Sequence, residues 1–183
     1  MVKNLYSIHG GEFVVGNFIE KNYKSVILWI PSRDVGTDLL VTDANNERPV
    51  SLQVKYSRDY LETNDPEYSS RIRAGGWWTL GRDKIAESRA DYWVFVLKGF
   101  GMKLSDFVVI EPSELLKRLD RIHGKTKTIQ SYLWITRNNR CWEIRGLKNQ
   151  ERLEIAEDHY QNPDRDFSDY LNNWSCVKAI NGK

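Results

Sequence analysis

The sequence predicts an α/β domain, and three observations lead there. The order of patterned segments is helix, strand, strand, strand, helix, strand, strand, helix, which alternates the two element types along one chain. The chain has 183 residues, 40% hydrophobic and 28% charged, the balance of a globular domain that builds its core without disulfides. Seven Trp and nine Tyr supply large apolar faces for that core. The apolar runs, such as Val26 to Ile30 and Tyr92 to Leu97, are strand-sized and fall far short of the roughly 18 residues of a membrane span.

Each element has its own signal. Gly11 to Asn22 reads as a helix with an apolar stripe of Phe13, Val14, Val15, Phe18 and Ile19. Ser25 to Ile30 is rich in branched residues and stops at Pro31, as a strand does. Asp38 to Thr42 and Val50 to Tyr56 flank the polar loop Asp43 to Pro49 and read as a hairpin. Ser57 to Gly76 is long and polar and reads as a loop, with Gly75-Gly76 as a turn signal. Trp77 to Arg89 suits a helix in which Trp77 and Trp78 are core anchors. Asp91 to Leu97 is a strand buried on both faces, and Asp106 to Ile110 is another. A helix then starts at Pro112, with Ser113 as its expected cap. Ile129 to Thr136 and Cys141 to Leu147 flank Arg137-Asn138-Asn139-Arg140 as a second hairpin, and the tail from Asp158 is partly helical.

Several chemistries are excluded early. Cys141 and Cys176 form no C-x-x-C pair, and His9, His123 and His159 lie far apart, so no zinc or redox motif is present. No phosphate-binding Gly-rich loop occurs. The first residues lack a basic region followed by an apolar segment, so a cytoplasmic location is expected. Charge is balanced up to residue 110. From Lys117 to Lys148, nine basic residues meet two acidic ones, a local charge of +7. Between Glu151 and Asp169, seven acids meet two bases, a local charge of −5. Three outcomes fit: the basic segment follows a phosphate backbone, it packs against the acidic one, or it is a solvated face.

The first hairpin carries the chemistry. Alternation in a strand puts Ser51, Gln53 and Lys55 on one face. A loop centred near Asn45 or Asn46 sets Asp38 opposite Gln53 or Lys55, and both registers bring the three polar side chains to the same face. An acid, an amide and an ammonium thus converge amid apolar sequence, where such groups are costly unless they pair or bind something. Arg71 and Arg73, in the aromatic-rich stretch that follows, are candidates for phosphate contact, and Lys84 for facing the site from its helix.

Gly36-Thr37-Asp38-Leu39-Leu40-Val41 followed by Ser51-Leu52-Gln53-Val54-Lys55 resembles the motif of the PD-(D/E)XK nuclease superfamily, in the D…Q-x-K form of Mrr-type restriction endonucleases. Thr37 stands where the superfamily name has Pro, and Gln53 replaces an acid. Glu12 resembles the acidic residue many members carry on the first helix. The resemblance implies a restriction-endonuclease-like αβββαβ core over residues 1–110, with a central mixed sheet flanked by helices. Residues 111–183 are then a C-terminal extension containing a hairpin and helix, packed on the core. It implies a Mg²⁺-dependent endodeoxyribonuclease in defence or repair, with Mn²⁺ as a substitute metal. Asp38, Gln53 and Glu12 would hold the ion, and Lys55 would orient or help deprotonate the attacking water. The implied partner is nucleic acid, DNA before RNA, with a homodimer left open and no membrane. The alternative is a module that keeps the fold and binds nucleic acid or protein without catalysis.

Overall fold

The computed structural model describes residues 10–32, 36–57, 68, 70–98 and 105–181. Helix α1 (Gly10–Asn22) leads into strands β1 (Val26–Trp29), β2 (Leu39–Asp43) and β3 (Val50–Ser57). Then come β4 (Ile72–Gly81), the short α2 (Arg82–Ala86), β5 (Tyr92–Lys98) and β6 (Ser105–Ile110). Helix α3 (Pro112–His123), β7 (Thr128–Thr136), β8 (Cys141–Glu143), α4 (Asn149–Ala156), a 3₁₀ turn at Ser168–Tyr170 and α5 (Ser175–Lys178) complete the order. The fold is mixed α/β, and no described helix is long and apolar enough to cross a membrane.

The central sheet has the order β1-β2-β3-β5-β6. The strands β1, β2 and β3 form an antiparallel meander, β5 runs parallel to β3, and β6 returns antiparallel on β5. The first turn is organised by Asp43, whose Oδ1 accepts from the backbone N–H groups of Asn45 (3.1 Å) and Glu47 (2.9 Å). Asn46 takes the left-handed conformation there (φ 63°), as Asn tolerates. One face of the sheet packs Leu39, Val41, Leu52, Val54, Val94 and Val96 against α1 through Val15 and Ile19. Helical spacing of four puts those two residues on the sheet side and leaves Phe13, assigned to the same stripe from sequence, 62% exposed. The other face carries Trp93, Phe95 and Leu97 into a second core shared with β4, β7 and α3.

The stretch whose sequence suits a loop and then a helix is mostly strand. Residues 72–81 form β4, which leaves the central sheet and pairs with β7 in a three-stranded sheet β4-β7-β8. Only Arg82–Ala86 is helical within Trp77 to Arg89. Gly75-Gly76 serve packing within this strand instead of a turn. A Cβ on Gly76 would fall 2.3 Å from the Trp78 ring, and one on Gly75 3.4 Å from Trp134. Trp78 is buried against Phe95, while Trp77 faces the other side of the strand and packs on Tyr132.

Helix α3 starts with Pro112 at its first position and Glu111 as N-cap, so the Ser113 cap is also corrected. Proline fits there because its missing N–H is one the helix would leave unpaired. Leu115 and Leu119 bury the helix, and Gly124, at φ 73°, follows its end. The second hairpin is present, turning through Asn139 at φ 61°. Glu143 on β8, wholly buried, receives Arg165 Nη1 (2.8 Å) and the N–H groups of Tyr132 (3.1 Å) and Arg145 (3.2 Å). That pairing is what makes a buried carboxylate tolerable. Both cysteines are free thiols; burial pushes Cys141 far up and Cys176 to about 11, so neither is a nucleophile near neutral pH.

Candidate functional site

The site grows out of the β2–β3 pairing. Leu39 lies opposite Leu52 and Leu40 opposite Ser51, so one step further Asp38 comes alongside Gln53. The Asp38 N–H donates to Leu52 O at 2.8 Å, fixing the residue just before β2. Asp38 is buried, 6% exposed. The Asp38 Oδ2 accepts the Val54 N–H at 2.8 Å and the Gln53 Nε2 amide. The buried carboxylate thus takes one donor from the β3 backbone and one from a β3 side chain.

Two residues further, Lys55 shares the Gln53 face. Its Nζ lies 4.8 Å from the centroid of the Trp93 ring. Such a contact holds a cation over an aromatic face without neutralising it. The parallel register explains the pairing, because Gln53 is the direct partner of Trp93 on β5. Trp93 is fixed in turn by Nε1 donating to Ser88 Oγ at 2.8 Å. Upstream, Ser51 and Asp91 clamp the starts of β3 and β5, Ser51 Oγ donating to Asp91 Oδ2 at 2.7 Å and the Asp91 N–H donating back to Ser51 Oγ at 3.0 Å.

Gln53 and Lys55 line a cavity of about 670 Å³, walled by Trp78 and Trp93 and reached by Lys84 and Arg89. Among the described residues its lining carries Lys55, Lys84 and Arg89 against Glu87, a balance that attracts anions. Lys84 therefore stands at the site, though on the short α2 instead of the long helix expected. Bonds from Arg82 to Asp120, 2.7 Å at the shortest, anchor α2 to α3. The Arg82 side-chain bond is the main reason that the Asp120 carboxyl sits below its ordinary value.

The other expected residues are placed differently. Glu12 is buried at the start of α1, the helix that covers the opposite face of the sheet, where Gly11 abuts Val54 and Tyr56. Arg71 pairs with Glu157 at 2.8 Å. Arg73 forms a two-pronged pair with Asp106, at 3.0 and 2.9 Å, and also meets Asn139. Neither arginine lines the cavity. The basic segment also folds onto the acidic one. Arg118 donates to the carbonyls of Pro163, Asp164 and Asp166, Arg121 pairs with Asp164 at 2.9 Å, and Arg140 with Asp166 at 2.6 Å. These contacts select internal pairing for much of that charge.

Trp93 and Arg89 are site residues that sequence reasoning missed. Trp93 reads as one more apolar residue in a buried strand until the β3–β5 register is known. Arg89 sits at the margin of a helix expected to include it, with no local signal of its own. Among the described residues, no three His, Cys, Asp or Glu side chains gather into a metal-ligand set. The oxygen-bearing pair here is one carboxylate and one carboxamide, Asp38 and Gln53. Comparison with protein-family profiles, with curated proteins and with solved structures finds no match for the chain.

Proposed function

We propose that the protein is a metal-dependent nuclease that hydrolyses phosphodiester bonds, with DNA as its substrate, and that its central sheet is a restriction-endonuclease-like core. The observation that carries this reading is the Asp38–Gln53 pair on the same sheet face as Lys55, beside a cation-lined cavity. The donor set suits Mg²⁺, which takes hard oxygen ligands and commonly binds through one or two carboxylates while keeping several waters. The Asp38 carboxylate and Gln53 Oε1 would hold it, with waters completing the shell. When bound, such an ion lowers the pKa of a coordinated water and offsets charge on the phosphate.

The chain's own residues supply the rest. Lys55, held over Trp93, would orient the attacking water and offset the negative charge that develops on the phosphate. Lys84 and Arg89 would draw the phosphate into the cavity and fix its orientation. In-line attack of water would then cleave the P–O bond, leaving one phosphomonoester end and one hydroxyl end.

A second reading is favoured by one feature. Asp38 Oδ2 already receives two donors from within the chain, so part of the carboxylate's bonding is met without metal. A non-catalytic nucleic-acid-binding module would use the same cationic cavity.

Cleavage of labelled single-stranded DNA, duplex DNA and RNA in Mg²⁺, Mn²⁺ or EDTA separates the two. The nuclease reading expects metal-dependent cleavage of DNA that falls at least about 100-fold in Asp38→Ala and Lys55→Ala, the scale of losing an electrostatic catalytic group, with folding retained. Salt-sensitive binding indifferent to EDTA, with no cleavage of any substrate, would overturn it in favour of the binding module.

A further inference from the structure

The sheet face that carries Asp38, Gln53 and Lys55 continues past them to the edge of the sheet. On β2 it presents Leu40 and Thr42, and on β1 it presents Ile27 and Trp29, since Trp29 lies opposite Leu40 and Ile27 opposite Thr42. Under β5 and β6 this face is covered by the second core, but at β1 it is open: Trp29 is 48% exposed and Ile27 37%. The indole is pinned in place. Its Nε1 donates to Thr42 Oγ1 at 3.2 Å, and that hydroxyl donates to Asn46 Oδ1 at 3.0 Å, in the turn organised by Asp43.

A half-exposed aromatic ring held rigidly binds a flat partner at little cost in conformational entropy. Trp29 sits two strands from Ser51, and Ser51 two residues from Gln53, so at ordinary strand spacing the Trp29 and Gln53 backbones are about 12 Å apart. That separation is within reach of one single strand, whose binding sites span four or more nucleotides. The same strand would find Lys55, Lys84 and Arg89 at the cavity as partners for its phosphates. Edge-to-edge pairing with a second copy is the competing use of this surface. It is disfavoured by β1 itself, which has four residues and is followed closely by Pro31, both features of a blunted edge.

We propose that Trp29, with Ile27 beside it, is a stacking platform for unpaired bases of the strand presented to Asp38, Gln53 and Lys55, so that the substrate is single-stranded or locally unpaired nucleic acid. This rests on the nuclease reading of the site and names its substrate class. Bases inside a duplex, stacked on each other, offer the ring no free face.

The test is fluorescence anisotropy of the full chain in EDTA, with a labelled oligothymidylate and a blunt duplex of equal length as probes. Trp29→Ala is expected to weaken single-strand binding about tenfold, within the range for removal of one base-stacking ring, and to leave duplex binding nearly unchanged. Trp29→Phe, which keeps a ring, is expected to stay within about threefold of wild type. If Trp29→Ala does not fold, Trp29→Leu, apolar but without a π face, takes its place with the same expectation. Equal single-strand affinity in the ring-less and ring-bearing variants overturns the platform. So does a loss of oligomeric mass in Trp29→Ala at unchanged affinity, which would assign the surface to a second copy. Failure of the wild-type chain to bind either probe would overturn the nuclease reading along with it, whereas an unaffected Trp29→Ala sinks the platform alone.

Discussion

Gln53→Glu distinguishes a metal centre from a merely structural pair. Gln53 Nε2 donates to Asp38 Oδ2, so the substitution removes a hydrogen bond and sets a second carboxylate against the first. The lost bond contributes about 1 kcal/mol. Two carboxylates about 4 Å apart repel by about 4 kcal/mol at an effective dielectric of 20. Gln53 is only part-buried, so solvent reduces that figure. Proton uptake also caps it, because protonating an ordinary glutamate at pH 7 costs about 3.7 kcal/mol. The metal-free variant should therefore lose about 2–4 kcal/mol, or about 4–16 °C in melting temperature for a chain of this size. A divalent cation offsets the perturbation, since it binds two acids better than one. Thermal melts in EDTA and in Mg²⁺ measure both arms: a large deficit in EDTA, mostly recovered in Mg²⁺, is the expected outcome. A deficit of the same size in both buffers would refute the metal-centre reasoning and leave Asp38–Gln53 as a structural pair.

Other predictions test the frame around the site. Gly11→Ala puts a Cβ 2.7 Å from Tyr56 Cβ and 3.3 Å from Val54 Cγ1. Overpacking of about 1–3 kcal/mol outweighs a helix-propensity gain of at most about 1 kcal/mol, so urea unfolding should show a net loss of about 1–2 kcal/mol. Gly10→Ala, with nothing within 4 Å of the new Cβ, should show no loss. The Arg82 bond to Asp120 lowers that carboxyl below its ordinary value of 3.8. Its contribution to stability is therefore complete above about pH 3.8 and is lost as pH falls through the lowered value. Asp120→Asn should be less stable than wild type at pH 7 by denaturant unfolding, with the gap closing as pH falls through the lowered value; a gap independent of pH would contradict the assignment.

Much of the candidate site was legible because a hairpin is local. Asp38, Gln53 and Lys55 lie within 18 positions, and strand alternation alone puts the polar trio on one face in either register. The buried strand around Val94 was legible for a similar reason, its continuous apolar run. What escaped was set by contacts distant in sequence. Strand β4 reads locally as loop and helix because Gly75-Gly76 looks like punctuation, and the indoles that need that space lie at Trp78 and across the sheet at Trp134. Arg73 looked available for phosphate because its partner, Asp106, is 33 residues away. Lys84 reached the cavity through a five-residue helix tied to α3 by Arg82 and Asp120, a tie with no signature in the local sequence. The face continuing to Trp29 was hidden too, since exposure of an edge strand depends on what the rest of the chain leaves uncovered.

Calorimetric titration of Mn²⁺ into the full chain tests the central claim most directly. The account predicts one site per chain, lost in Asp38→Asn, weakened in Gln53→Ala and retained in Lys55→Met, whose side chain lies beside the ligands without joining them. Binding of equal strength and stoichiometry in wild type and Asp38→Asn, or no binding in wild type, would contradict it.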